Sequence, residues 1–259
     1  MQAEPLRPRW PARLWVVRHG QSAGNVARDA AHAAGLTHIE VASRDADVPL
    51  SELGQAQAAA LGRWFAGRAD AERPDVVLQS PYVRARQTAE AVRAAGGVAA
   101  RLRCWRVDER LREKEFGVLD RLTTAGIAQL FPDQAEHRRL LGKFYHRPPG
   151  GESWCDVILR LRSLLDTLSL HHAGERVLIV AHQVVVLCLR YLLENLEEAE
   201  ILAIDREGDV ANCGVTEYRF NLEPAPTGSL QLHAYNVTAP VEQAGAPVTV
   251  QPDAAVAVR

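Results

Sequence analysis

Short apolar runs that end abruptly in polar residues organise this chain. Leu14-Trp15-Val16-Val17 stops at Arg18-His19-Gly20, Val76-Val77-Leu78 at Gln79-Ser80-Pro81, and Val177 to Ala181 at His182-Gln183. Each reads as a buried strand that hands polar groups to a turn at its carboxyl end. Helical spacing fills the gaps between them. Leu53, Ala56, Ala60 and Trp64 recur on one face behind Ser51, a good helix N-cap, and this helix runs to about Gly67. Tyr82 to Ala95 is Ala- and Arg-rich and closed by Gly96-Gly97, while Val157, Leu161, Leu164, Leu165 and Leu168 mark an amphipathic helix. Val184 to Leu196 reads as a buried helix, Leu122 to Leu130 as a short one, and residues 98–107 as a further strand-like piece.

Two late strand patterns, Val215 to Phe220 and Leu230 to Tyr235, flank a Pro/Gly turn and predict a hairpin at the sheet edge. Residues 1–12 read as a loose arm and 237–259 as an extended tail. Residues 26–48 carry little periodicity and read as an insertion near the strand ends; residues 132–150 read as a second, basic and loop-like one. There are no internal repeats. Strands alternating with helices imply an α/β protein, a mostly parallel sheet between two helical layers.

Composition narrows the class. The 259 residues carry a formal net charge of -2, with 47% apolar and 24% charged side chains, the profile of one globular α/β domain. No basic block is present, so neither nucleic acid nor a membrane surface is the expected partner. Lys114 and Lys143 are the only lysines, a skew towards arginine that genome composition explains. Cys104, Cys155, Cys188 and Cys213 are widely spaced and form no metal-ligand pattern, so free thiols, a reducing cytoplasmic setting and no metal are expected. No amino-terminal stretch has the make-up of a secretory signal, and the apolar run Val177 to Leu189 is too short to span a bilayer.

The strand ends supply the chemistry. Arg18-His19, Ser80 with Arg84 one turn into its helix, and His182 meet at one edge of one sheet, where open α/β sheets bind ligands. Two guanidiniums and two imidazoles suit a phosphoryl dianion. A histidine kept neutral beside arginines is a nucleophile towards phosphorus, and a phosphohistidine is its natural intermediate. The leaving oxygen then needs a carboxylic acid, for which the residues leave Glu113 and Glu109 open. Arg86 reads as part of a solvated helix face, Glu115 as a surface charge, and His171-His172 as a helix C-terminal cap. The motifs of phosphate-binding loops, dinucleotide sites and serine hydrolases are missing.

Arg18-His19-Gly20-Gln21-Ser22-x-x-Asn25 resembles the signature of the histidine phosphatase superfamily, whose members include phosphoglycerate mutases and fructose-2,6-bisphosphatases. Leu50-Ser51-x-x-Gly54, Ser80-Pro81-x-x-Arg84-Ala85, Leu111-Arg112-Glu113-x-x-Phe116-Gly117, Gly151-Glu152-Ser153 and His182 are similar to its later motifs, in the same order. The resemblance implies the phosphoglycerate mutase-like α/β/α sandwich, with His19 as nucleophile and Arg18, Arg84 and His182 around the phosphate. It also selects Glu113 as the acid/base and adds Asn25 and Gln21 from the signature as substrate-binding positions. His182-Gln183-Val184-Val185 and the segment Lys143 to Ser153 are similar to the bisphosphatase pattern, which puts Gln183 at substrate and Lys143, Arg147 and Arg139 at a distal anion. Leu187 and Leu119-Asp120-Arg121 depart from it. The implied activity is cofactor-independent hydrolysis of a small phosphorylated metabolite, with a phosphoglycerate mutase or a non-catalytic phospho-ligand module as alternatives; a homodimer is left open.

Overall fold

The computed structural model describes residues 9–41, 43–223 and 228–250. In chain order the first half comprises β1 (Arg13–Arg18), α1 (Ala23–Ala33), α2 (Glu52–Ala66), β2 (Val76–Gln79), α3 (Val83–Ala94), β3 (Cys104–Val107), α4 (Thr124–Leu130) and α5 (Pro132–Tyr145). The second half adds α6 (Trp154–His171), β4 (Arg176–Ala181), α7 (Gln183–Leu193), α8 (Glu198–Glu207), β5 (Val215–Asn221), β6 (Ser229–Val237) and α9 (Ala239–Glu242). The strands form one six-stranded sheet in the order β3-β2-β4-β1-β5-β6. The first four in that order run parallel, and β5 and β6 add an antiparallel hairpin at one side.

Alternation along β1 divides the core. Leu14 and Val16 point into a cluster with Leu161, Leu164, Val185 and Leu189 of α6 and α7, whereas Trp15 and Val17 point into one with Leu61, Phe65, Ala85 and Val92 of α2 and α3. Period-2 side chains on a strand thus feed two helical layers, giving the three-layer sandwich that the alternating pattern implied. Ser51 caps α2 by accepting the Gly54 N–H at 3.0 Å, and Ser153 caps α6 in a reciprocal box with Asp156. Where α2 begins it lies directly on the turn after β1: a Cβ on Gly54 would stand 1.9 Å from the Gln21 carbonyl oxygen. Only glycine allows that approach.

Several segments depart from the sequence reading. Residues 132–145 are helical, with Pro132 at its first position and Gly142 at φ 74° interrupting it near the end. Residues 23–33 form α1 inside the stretch read as an insertion, and α8 has no counterpart in the sequence reading. The chain from Val237 to Val250 is docked: Val241 is fully buried, Gln57 Nε2 donates to the Pro247 carbonyl at 2.9 Å, and the Asn212 N–H donates to the Thr249 carbonyl at 2.9 Å. Trp10 and Ala12 are pinned to 174–175 by backbone bonds of 2.9 and 2.8 Å. Residues 1–8 of the predicted arm and 251–259 of the predicted tail lie outside the described residues. All four cysteines are free, and among the described residues no helix is long and apolar enough to cross a membrane.

Candidate active site

The register of β1 on β4 pairs Arg18 with Ala181, so His19 and His182 leave adjacent parallel strands at the same level. Their rings lie 5.0 Å apart. The His19 N–H donates to the Ala181 carbonyl at 2.9 Å, and Asn212 Nδ2 donates to the His19 carbonyl at 3.0 Å. His19 Nδ1 lies 2.7 Å from the Gly20 carbonyl oxygen. A carbonyl only accepts, so the proton resides on Nδ1 and Nε2 keeps its lone pair. Arg84 Nε faces that lone pair at 3.2 Å. Thr88 couples the two elements by accepting the Gly20 N–H at 3.1 Å and donating to the Arg84 carbonyl at 2.8 Å.

His182 is fully buried at the head of α7. The Ser80 hydroxyl accepts the Tyr82 N–H at 3.2 Å and meets His182 Nε2 at 2.7 Å. By donating to Nε2, Ser80 satisfies both contacts and leaves the His182 proton on Nδ1. That Nδ1 has no hydrogen-bond partner; Glu113 Oε2 stands 3.7 Å away. Burial is the main cause that holds His19 well below the ordinary imidazole value of 6.5, followed by the charges of Arg84 and Arg18, against a smaller opposing effect of the Gly20 carbonyl. Burial likewise lowers His182, with Arg84, His19, Arg160 and Arg18 adding to it.

Glu113 belongs to a tightly held loop. The Glu115 N–H donates to Glu152 at 3.1 Å and the Glu152 N–H to the Glu115 carbonyl at 2.9 Å. Arg160 donates to Glu152 at 3.0 and 3.1 Å and to the Glu113 carbonyl at 3.3 Å, while Arg112 reaches Glu152 at 2.7 Å. Burial raises the Glu152 pKa, but the bonds and charges of Arg160, Arg112 and the Glu115 N–H outweigh it and the net shift is downward. The loop is therefore anchored by an ion pair with almost no solvent access, and Glu109 sits outside it, exposed.

Arg18, His19, Asn25, Arg84, Glu113 and Gln183 line one cavity of about 150 Å³, with the fully buried His182 ring 5.0 Å from that of His19. Arg18 donates to Gln183 Oε1 at 2.9 Å and to the Val210 carbonyl, and Gln183 is held in turn by Asp209. Four of the predicted substrate positions are elsewhere. Gln21 spends its side-chain oxygen on the Ser51 hydroxyl at 2.7 Å. Lys143 is paired with Asp205 at 2.6 Å, Arg147 with Asp156, and Arg139, exposed on α5, with Glu136 at 2.6 Å. None of the four lines the cavity.

One site residue escaped the sequence reading. Asp45 accepts from Arg84 with both carboxylate oxygens at 3.0 Å and with its backbone carbonyl at 2.6 Å. It lies in the aperiodic segment 26–48, where nothing distinguishes it from Asp47, so the sequence carried no signal for it. Asp45 occupies the fork of the arginine as an anion would.

The pattern of the histidine phosphatase superfamily, branch 1, matches residues 14–225, and the chain belongs to that superfamily. A bifunctional protein of Mycobacterium tuberculosis is 32% identical over 236 residues, 89% of this chain and 54% of that protein. The 6-phosphofructo-2-kinase/fructose-2,6-bisphosphatase of Caenorhabditis elegans is 31% identical over 196 residues, 75% of this chain and 37% of that one. The chain thus spans about half or less of the length of these relatives. Among solved structures, a mycobacterial glucosyl-3-phosphoglycerate phosphatase in complex with inorganic phosphate superposes with a TM-score of 0.65 at 26% identity, over 89% of this chain and 99% of that one.

The two buried histidines give the fold a pH dependence with a definite sign. Unfolded imidazoles bind protons below pH 6.5 while the buried pair does not, so their contribution is present in full above 6.5 and is lost as the pH falls. Urea unfolding is expected to show lower stability at about pH 5.5 than at pH 7, and His19→Gln to lessen that difference.

Proposed function

We propose that the protein is a metal-independent phosphomonoester hydrolase that passes the phosphoryl group of a small phosphorylated metabolite through His19 to water. The observation that carries this reading is the Nε2 lone pair of His19, its tautomer fixed by Gly20 and faced by Arg84 Nε, in a cavity that Arg18, Arg84 and Glu113 also line. The phosphate dianion sits against Arg18 and Arg84, displacing Asp45 from the arginine fork, and one of its oxygens accepts a hydrogen bond from the unpartnered Nδ1–H of His182. Nε2 attacks phosphorus in line with the ester oxygen. As the P–N bond forms, the P–O bond to the alcohol breaks, and Glu113 delivers a proton to the departing oxygen. The resulting carboxylate then takes a proton from water, whose oxygen attacks phosphorus, breaks the P–N bond and restores His19. Arg18 and Arg84 supply the fixed positive charge that the transferring group requires. The phosphatase relatives and the phosphate-bound structural neighbour support hydrolysis over phosphate return to the substrate, and release of inorganic phosphate in step with alcohol is the distinguishing product.

His19→Ala is expected to lower turnover of an aryl phosphate by at least about a thousandfold, and excess chelator to leave the unaltered enzyme unaffected. Unchanged activity of that variant, or loss on chelation, contradicts the reading. Asp45→Asn removes the internal anion that competes for Arg84, so inhibition by inorganic phosphate is expected to tighten by about fivefold in a competitive assay; weaker inhibition would mean that Asp45 holds Arg84 in place for the substrate.

A further inference from the structure

The floor of the cavity is charged, and along its walls Arg28, Asp120 and Arg121 are interspersed with apolar side chains. Ile39, Val41 and Val48 face it from the segment after α1, and Phe116, Leu119 and Leu122 from the segment after the Glu113 loop. These walls are stitched together. The Ile39 N–H donates to the Arg121 carbonyl at 2.8 Å, the Thr123 N–H to the Thr37 carbonyl at 3.0 Å, and the Thr123 hydroxyl to the Leu36 carbonyl at 2.6 Å. Gly126 lets α4 close on the same strand-like segment, since a Cβ there would lie 2.0 Å from the Thr37 carbonyl oxygen. Leu119, Leu122 and Ile127 of the wall are backed by Phe131 and Ala135 in an apolar cluster apart from the two main ones. The wall is therefore a backed apolar surface with its main-chain groups committed to one another.

Cations for a second phosphate are scarce on this surface. Lys143, Arg147 and Arg139 are tied to carboxylates elsewhere. Arg121 spends one guanidinium N–H on the Val41 carbonyl at 3.3 Å and lies 3.8 Å from Asp120. Arg28, one helical turn beyond Asn25 on α1, is the single cavity-lining guanidinium with no ion pair or hydrogen bond among the described residues. Hydroxyls placed along Ile39, Val41 and Phe116 would trade water for apolar side chains, a cost that an apolar group there does not meet.

The geometry points to a substrate class: phosphomonoesters whose alcohol is an aryl or branched alkyl group, in preference to sugar phosphates and bisphosphates. This rests on the hydrolase reading above. The cavity recognises one phosphate at its floor and an apolar leaving group along Ile39, Val41 and Phe116.

Comparison of 3-phenylpropyl phosphate with glycerol 3-phosphate tests it, because both are primary alkyl esters and the vicinal hydroxyl of glycerol makes its alkoxide the less basic, so leaving-group chemistry does not favour the apolar ester; fructose 2,6-bisphosphate completes the set. The apolar ester is expected to show a kcat/KM at least about thirtyfold above either sugar-type substrate. Val41→Asn with Ile39→Asn is expected to lower the ratio of kcat/KM for the apolar ester to that for glycerol 3-phosphate about tenfold, with an unchanged melting temperature. Should the double variant melt early, Val41→Ala supplies the same comparison with the wall kept apolar but shortened, and a selective loss is again expected. Equal or faster turnover of glycerol 3-phosphate or the bisphosphate by the unaltered enzyme overturns the substrate class and leaves the hydrolase intact. Failure to release phosphate from any of the three overturns both.

Discussion

The parallel register of β1 on β4 is the constraint on which the remainder of the site depends. Pairing Arg18 with Ala181 places His19 and His182 side by side at the end of a sheet that is buried on both faces. Burial favours the neutral form of both imidazoles, and in the proposed reaction neutrality is what allows one of them to present a lone pair to phosphorus. A slip of one residue in either strand would turn its histidine to the other face and exchange the two core clusters. The same alternation of Leu14, Trp15, Val16 and Val17 that fills both helical layers therefore also fixes the position of His19, the nucleophile of the proposed reaction.

Charge around this pair is arranged by elements distant in sequence. Thr88 joins the turn after β1 to the backbone of Arg84, Ser80 orients His182 from the end of β2, and Glu152 with Arg160 holds the loop of Glu113 from α6. Fixed dipoles and charges of this kind need little reorganisation when a dianion arrives. Asp45 is the exception, since its carboxylate takes up the fork of Arg84 and must yield it.

What the sequence disclosed follows from how many neighbours constrain each residue. Leu14 to Val17, Val177 to Ala181 and the α6 positions Val157, Leu161, Leu164 and Leu168 are buried, and their periodicity was readable. By contrast α1, α5 and α8 bury only Ala31, Phe144 and Ile201 respectively, so no apolar stripe announces them. The catalytic candidates were legible because a strand end followed by a helix start is a local pattern. The walls and Asp45 were not, because Ile39 and Val41 acquire their partner from Arg121, about 80 positions away, Ile39 through a backbone bond that any residue there can make and Val41 through the Arg121 guanidinium. Lys143, Arg147 and Arg139 show the converse. A basic segment can resemble a phosphate grip, yet Asp205, Asp156 and Glu136 claim its charges, and sequence proximity to Glu152 does not bring them to the cavity.

The central claim is that His19 carries the phosphoryl group. It is tested most directly by acid-free peptide mass spectrometry of the Glu113→Gln variant after rapid mixing with an aryl phosphate, whose phenolate departs without a donated proton. The account predicts one phosphoryl group on the His19 peptide, labile in acid and decaying slowly because the amide cannot activate water. Phosphate on another residue, or steady turnover with His19 never modified, would contradict it.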